Sequence, residues 1–154
     1  MKLPFAFQRA QPHHAQALTD ITVTAKRHWK YPEHWIQTWI PMLTISPQYI
    51  QANETWMAVV NERPVAYYSL KHDDPYLWLD NLWVLPDFMG KGIGAKLFKH
   101  ALNVSRACQV SILMIESDPN AQTFYEKMGA RKIDEHHSQL DGQLRTLPIM
   151  AINL

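Results

Sequence analysis

The sequence predicts an α/β (α+β) domain, a mixed sheet with helices packed on it. Three observations carry that prediction. Short apolar runs separated by turn residues fill the stretch from Thr55 to Leu85. Segments with helical apolar spacing lie on either side of it. A glycine-rich loop, Gly90-Lys91-Gly92-Ile93-Gly94-Ala95, opens one of those helices.

Taken in order, residues 5–10 read as a short strand. Residues 12–28 read as a helix, with Ala15, Leu18, Ile21, Thr22 and Ala25 on one face. Pro32 interrupts it, and a second helix follows over 33–42, where Trp35 and Trp39 share a face. A third short turn covers Pro47 to Gln51. Thr55–Val60, Val65–Leu70 and Tyr76–Leu85 are strands. Asn61-Glu62-Arg63-Pro64 and His72-Asp73-Asp74-Pro75 are the turns between them, so the three form an antiparallel meander. After the loop at 86–92 comes a helix with Ile93, Leu97, Phe98, Ala101 and Leu102 as its buried stripe. Ser111–Glu116 is a strand. Pro119 starts a short helix that stops at Gly129, and two strands flank the hairpin signal Asp141-Gly142. The element order is β-αα-βββ-α-β-α-ββ, which places the chain in the α/β or α+β class.

The chain has 154 residues, the length of one domain, with 47% hydrophobic and 19% charged residues. The formal net charge is +1, with no basic cluster of the kind a nucleic acid requires. No apolar run reaches the roughly 18 residues of a membrane span. The single cysteine, Cys108, reads as a core thiol in a reducing compartment, and the expected location is cytoplasmic. The eight histidines show no metal-ligand spacing, so no metal is expected.

The glycine loop is the most informative stretch. Three glycines clear side chains from a turn at a helix N-terminus, where free amides and the helix dipole favour an anion, a diphosphate above all. The same residues match the G-x-G-x-x-A fingerprint of dinucleotide-binding folds, with Glu116 near the expected acidic position. The context differs from that fingerprint. Pro86 and Asp87 separate the strand from the first glycine, and the unit follows an antiparallel meander. Too little chain remains to complete a doubly wound sheet, so a nicotinamide-dependent enzyme is the weakest of three readings.

The longer stretch Leu82-Trp83-Val84-Leu85-Pro86-Asp87-Phe88-Met89-Gly90-Lys91-Gly92-Ile93-Gly94-Ala95-Lys96-Leu97-Phe98 resembles the acetyl-CoA motif of GNAT acetyltransferases. That motif is a strand ending in V-x-P, a short loop, then Q/R-x-x-G-x-G/A and a helix. Asp118-Pro119-Asn120-Ala121-Gln122-Thr123-Phe124-Tyr125-Glu126-Lys127-Met128-Gly129-Ala130 is similar to the family's N-x-x-A-x-x-F/L-Y-x-x-x-G-F segment. Arg145-Thr146-Leu147-Pro148 is similar to small bacterial members of unassigned substrate.

The resemblance implies a mostly antiparallel central sheet of about seven strands with helices on both faces. Residues 1–154 would form a single acetyl-CoA-dependent N-acetyltransferase domain. The CoA pyrophosphate would lie on the amides of Gly90, Lys91, Gly92, Ile93, Gly94 and Ala95, and pantetheine on the backbone of Leu82, Trp83 and Val84. Asp118 and Asn120 would help to bind the cofactor, and Tyr125 would donate a proton to the departing thiolate. Two positions depart from the family pattern. Met89 stands where the family has Gln or Arg, and Asp118 where it has Asn.

An alkyl amine of pKa about 10 is about 99.9% protonated at pH 7, so it needs a proton acceptor before it attacks a thioester. The fourth-strand position where some members carry Glu falls on Trp78. Asp80, Glu116, His72 and His136-His137 remain, with Glu116 first among them because it ends the fifth strand; a water chain to bulk is equally plausible. The resemblance implies that the acceptor, a small-molecule or peptide amine, meets the N-terminal helices and the last hairpin. Trp29 and Tyr31 would form an aromatic wall there, while Trp35, Trp39 and Trp56 read as core. The expected activity is acetyl transfer by direct attack in a ternary complex, and family members are often homodimers. Trp78 and Met89 sustain an alternative, a catalytically weak acyl-CoA sensor or interaction module on the same fold.

Overall fold

The computed structural model describes residues 4–154. Its elements are β1 (Ala6–Arg9), α1 (Ala15–His28), α2 (Glu33–Leu43), α3 (Pro47–Ala52), β2 (Glu54–Val60), β3 (Arg63–Asp73), β4 (Tyr76–Val84), α4 (Ile93–Ala107), β5 (Ile112–Glu116), α5 (Gln122–Lys127), β6 (Arg131–Leu140) and β7 (Gln143–Asn153). The seven strands follow the order β1-β2-β3-β4-β5-β7-β6. β1 pairs antiparallel with β2, and β7 antiparallel with both β5 and β6. β4 and β5 run parallel, and the long connection such a pair requires carries α4. This is the mixed, mostly antiparallel sheet that the sequence implied.

Local chemistry sets the element boundaries. Pro12 opens a 3-10 turn, Pro12–His14, ahead of α1, so the helix read over 12–28 begins in a tighter winding. Ser46 caps α3, its hydroxyl accepting the Tyr49 N–H at 3.0 Å, and turns the expected short turn into a helix. The β3–β4 turn is tighter than expected. Both strands extend into it, so that Asp74 and Pro75 alone connect them.

The chain packs as two compact units. One comprises residues through Ser69 together with Asn81–Lys99. Its interior holds Leu18, Ile21 and Ala25 of α1, Ile36 of α2, Met57 and Ala58 of β2, and Val65 to Tyr68 of β3. The Thr22 hydroxyl donates to the Leu18 carbonyl at 2.8 Å and meets the Tyr67 hydroxyl, so two buried polar groups satisfy one another. The other unit comprises Leu70–Asp80 and His100–Leu154. Leu77, Leu79, Ala101, Leu113, Ile115, Met150 and Ala151 fill its interior. Here β7 lies between β5 and β6, and β6 is an exposed edge strand with an irregularity in register between Lys132 and Asp134.

Candidate functional site

In the first unit a 3-10 turn, Pro86–Phe88, leads from β4 toward the glycine loop, and the Met89 N–H closes on the Pro86 carbonyl at 3.2 Å. Gly90 and Gly92 follow at φ +74° and +84°, conformations that strain any L-residue by about 1–2 kcal/mol. A Cβ at either glycine would meet nothing within 4 Å. The glycines therefore answer to backbone conformation, not crowding, and they leave the peptide face open. The Lys96 N–H reaches back to the Gly92 carbonyl at 3.2 Å. The amides of Ile93, Gly94 and Ala95 precede it and have no acceptor within the helix, the usual state of a first turn. Residues 90–95 thus present backbone donors at the positive end of a fifteen-residue helix.

Leu82, Trp83 and Val84 are half-buried at the end of β4. The Trp83 indole N–H donates to the Asn81 side-chain oxygen Oδ1 at 3.1 Å. The Asn81 amide donates to Ser69 at 2.9 Å, and Ser69 meets the Tyr49 hydroxyl at 2.8 Å. Nearby, Lys26 is only 8% exposed. Its ammonium lies 4.7 Å from the Tyr31 ring centre, 4.6 Å from Trp39 and 5.9 Å from Trp83. Tyr31 also stacks on Trp35 at 6.2 Å. Tyr31, Trp39 and Trp83 therefore face an internal cation. Trp29 is 40% exposed and lies edge-on to His28 at 4.9 Å. Lys26 was not singled out from sequence. The signal was its place four residues after Thr22, on the buried face of α1.

In the second unit Tyr125 is buried on α5. Burial, and then the nearby Asp118 carboxylate, push its phenol well above the ordinary tyrosine value. Asp118 caps the turn before α5, its Oδ1 accepting both the Asn120 backbone N–H and side-chain amide at 2.9 Å. Trp78 is half-buried and lies edge-on to Tyr76. Glu116 ends β5 with an exposed carboxylate, and its Oε1 lies 3.3 Å from the Nδ1 of His136 on β6. Two of the proton acceptors considered from sequence thus meet across β7. His72 and Asp80 lie exposed on β3 and β4. Among the described residues no group of three or more His, Cys, Asp or Glu is placed to hold a metal ion, and no helix is long and apolar enough to cross a membrane.

A mixed seven-stranded sheet with an open amide cradle after its fourth strand defines a class of acyl-transfer fold. The chain belongs to the acetyltransferase (GNAT) family, whose model matches residues 15–130. A search of curated proteins finds no match. Among solved structures, a GCN5-related N-acetyltransferase from Rhodopseudomonas palustris superposes with a TM-score of 0.81 at 23% identity, covering 97% of this chain and 95% of its own. The PaiA N-acetyltransferase of Thermoplasma acidophilum, solved with coenzyme A, gives 0.81 at 15% identity, covering 98% and 99%. The ribosomal-protein-S18-alanine N-acetyltransferase of Escherichia coli gives 0.71 at 19% identity, covering 97% and 94%.

Proposed function

We propose that the chain, acting as one domain over residues 1–154, transfers acetyl from acetyl-CoA to a small-molecule or peptide amine by direct attack in a ternary complex. The observation that carries this reading is the open cradle of backbone amides at residues 90–95, with Gly90 and Gly92 at positive φ and free space above them. A diphosphate suits that cradle in charge and in donor geometry. The backbone of Leu82 to Val84 is the proposed seat of pantetheine. Pairing of β4 with β5 ends at Leu79 and Ile115, while β4 runs on to Val84. The family assignment and the coenzyme A complex of the Thermoplasma relative support the same ligand.

Tyr125 is the proposed acid. Burial disfavours its phenolate, so the phenol stays protonated at neutral pH and is a hydrogen-bond donor for the departing sulfur. The Glu116 end of β5 is the proposed exit for the proton of the acceptor ammonium. Thermal unfolding with acetyl-CoA, free CoA and NAD tests the cofactor. Acetyl-CoA at 100 times its Kd adds about 2.7 kcal/mol of stability, and NAD adds none. A shift with NAD and none with acetyl-CoA overturns the reading. Binding with no CoA release from any amine leaves the acyl-CoA sensor, which Trp78 at the fourth-strand position favours.

A further inference from the structure

The geometry points to His136 as the group that takes the acceptor's proton, with Glu116 as the residue that positions it; this rests on the transferase reading above. Glu116 is the first residue past the last β4–β5 pair, Leu79 with Ile115. It faces Ile149 on β7, whose next same-face neighbour, Leu147, faces His136 on β6. The two side chains meet above that strand at 3.3 Å, both exposed. A carboxylate only accepts, so Nδ1 is the donor and the lone pair of the neutral ring sits on Nε2. No contact to that Nε2 occurs among the described residues.

His137 provides the contrast. Its Nδ1 meets the Thr146 hydroxyl at 3.0 Å and its Nε2 lies 3.5 Å from Glu135, so both nitrogens are engaged. It also projects from the opposite face of β6. On the face of His136 the registers place Glu116 from β5, Arg131 and Asp134 from β6, Arg145 from β7 opposite Ser138, and Asp80 from β4 on the Glu116 side.

The protons balance as follows. The acceptor ammonium gives one proton to His136 Nε2, which passes it to water. The free amine attacks the thioester carbonyl, the C–N bond forms and the C–S bond breaks. The sulfur takes the Tyr125 proton, and the second proton lost by the nitrogen restores the phenol. The products are the acetamide, CoA thiol and one released proton.

The experiment measures CoA release from acetyl-CoA with an N-terminal alanyl peptide, a lysyl peptide and spermidine, across about pH 5.5–9. His136→Gln is expected to lower kcat by about 10²–10⁴-fold and to abolish the acidic limb of the profile, with KM for acetyl-CoA unchanged. Glu116→Gln keeps an acceptor for Nδ1 and retains most of kcat, whereas Glu116→Ala frees the ring and lowers kcat toward that of His136→Gln. NMR of the His136 ring nitrogens without substrates reads the tautomer: the proton stays on Nδ1 in the wild type and in Glu116→Gln, and that preference is lost in Glu116→Ala. His137→Gln changes neither. An active wild type whose limb survives in His136→Gln, or whose His136 tautomer ignores Glu116→Ala, overturns the assignment. A wild type that binds acetyl-CoA and acetylates no amine overturns the transferase reading, and His136 with it.

Discussion

Replacing Gly92 by Ala separates the two things the glycine loop does. The residue sits at φ +84°, and an added Cβ would meet no atom within 4 Å. The loss of folding stability is then backbone strain alone, about 1–2 kcal/mol. For a chain of this length that lowers Tm by about 2–8 °C. Asn tolerates the left-handed region better than Ala, so Gly92→Asn recovers part of that loss. Ligand binding should not recover, because both side chains place carbon over the amides. A tenfold loss of affinity is about 1.4 kcal/mol. At an acetyl-CoA concentration of 100 wild-type Kd, the stabilisation falls from about 2.7 to about 1.4 kcal/mol. Differential scanning fluorimetry of the three proteins, with and without acetyl-CoA, reads both effects. A full ligand shift in both variants would show that the amides are not the binding surface. An apo Tm as low for Asn as for Ala would refute the strain argument.

Three further outcomes are expected. Tyr125→Phe lowers kcat by about 10²–10⁴-fold with acetyl-CoA affinity kept. It also flattens the alkaline loss of stability. The unfolded tyrosine loses its proton near 10 while the folded one holds it, so wild-type stability falls above about pH 10 by up to about 1.4 kcal/mol per unit, a slope that urea unfolding measures. Asp118→Ala removes the acceptor for the Asn120 N–H and costs about 1 kcal/mol; Asp118→Asn keeps an acceptor and, by removing the charge, lowers the Tyr125 pKa, which ultraviolet titration of the phenol follows. Lys26→Met retains the buried stem but loses the attraction of the Tyr31, Trp39 and Trp83 faces, about 1–2 kcal/mol. Lys26→Ala loses the stem as well and costs about 2–4 kcal/mol by denaturant midpoint.

The elements were legible because their boundaries are set locally. Pro12, Pro47 and Pro119 each lack an amide hydrogen and so open helical turns, and Asp141-Gly142 tolerates the positive φ values, 55° and 71°, of its hairpin. The glycine loop was legible for the same reason, since its conformation is written in the residues that adopt it. Contacts between distant residues were not. Glu116 and His136 stand twenty residues apart and meet only because β7 inserts between β5 and β6. The end of the β4–β5 ladder at Leu79 leaves no mark in the apolar run from Tyr76 to Leu85. Trp29 and Tyr31, two residues apart, looked equivalent, yet one lies exposed against His28 and the other covers Lys26. The sequence shows which residues are aromatic; the turn after α1 decides where each ring faces.

The departures from the family pattern fall where this division of labour tolerates them. The proposed anion binding at residues 90–95 rests on amides whose direction is fixed by α4 and by two glycine φ angles. A side chain at Met89 adds to such a cradle and does not create it, so exchanging Gln or Arg for Met leaves the main donors in place. Proton transfer is different, because no backbone group can do it. Trp78 brings no titratable group to its position in β4, so the proposed proton path runs through other side chains or water. β5 and β6 supply a carboxylate and an imidazole in contact, in the same unit as the buried phenol. On the proposed reading backbone recognition and side-chain proton chemistry are separate, so substitutions that abolish turnover are expected to leave cofactor binding intact.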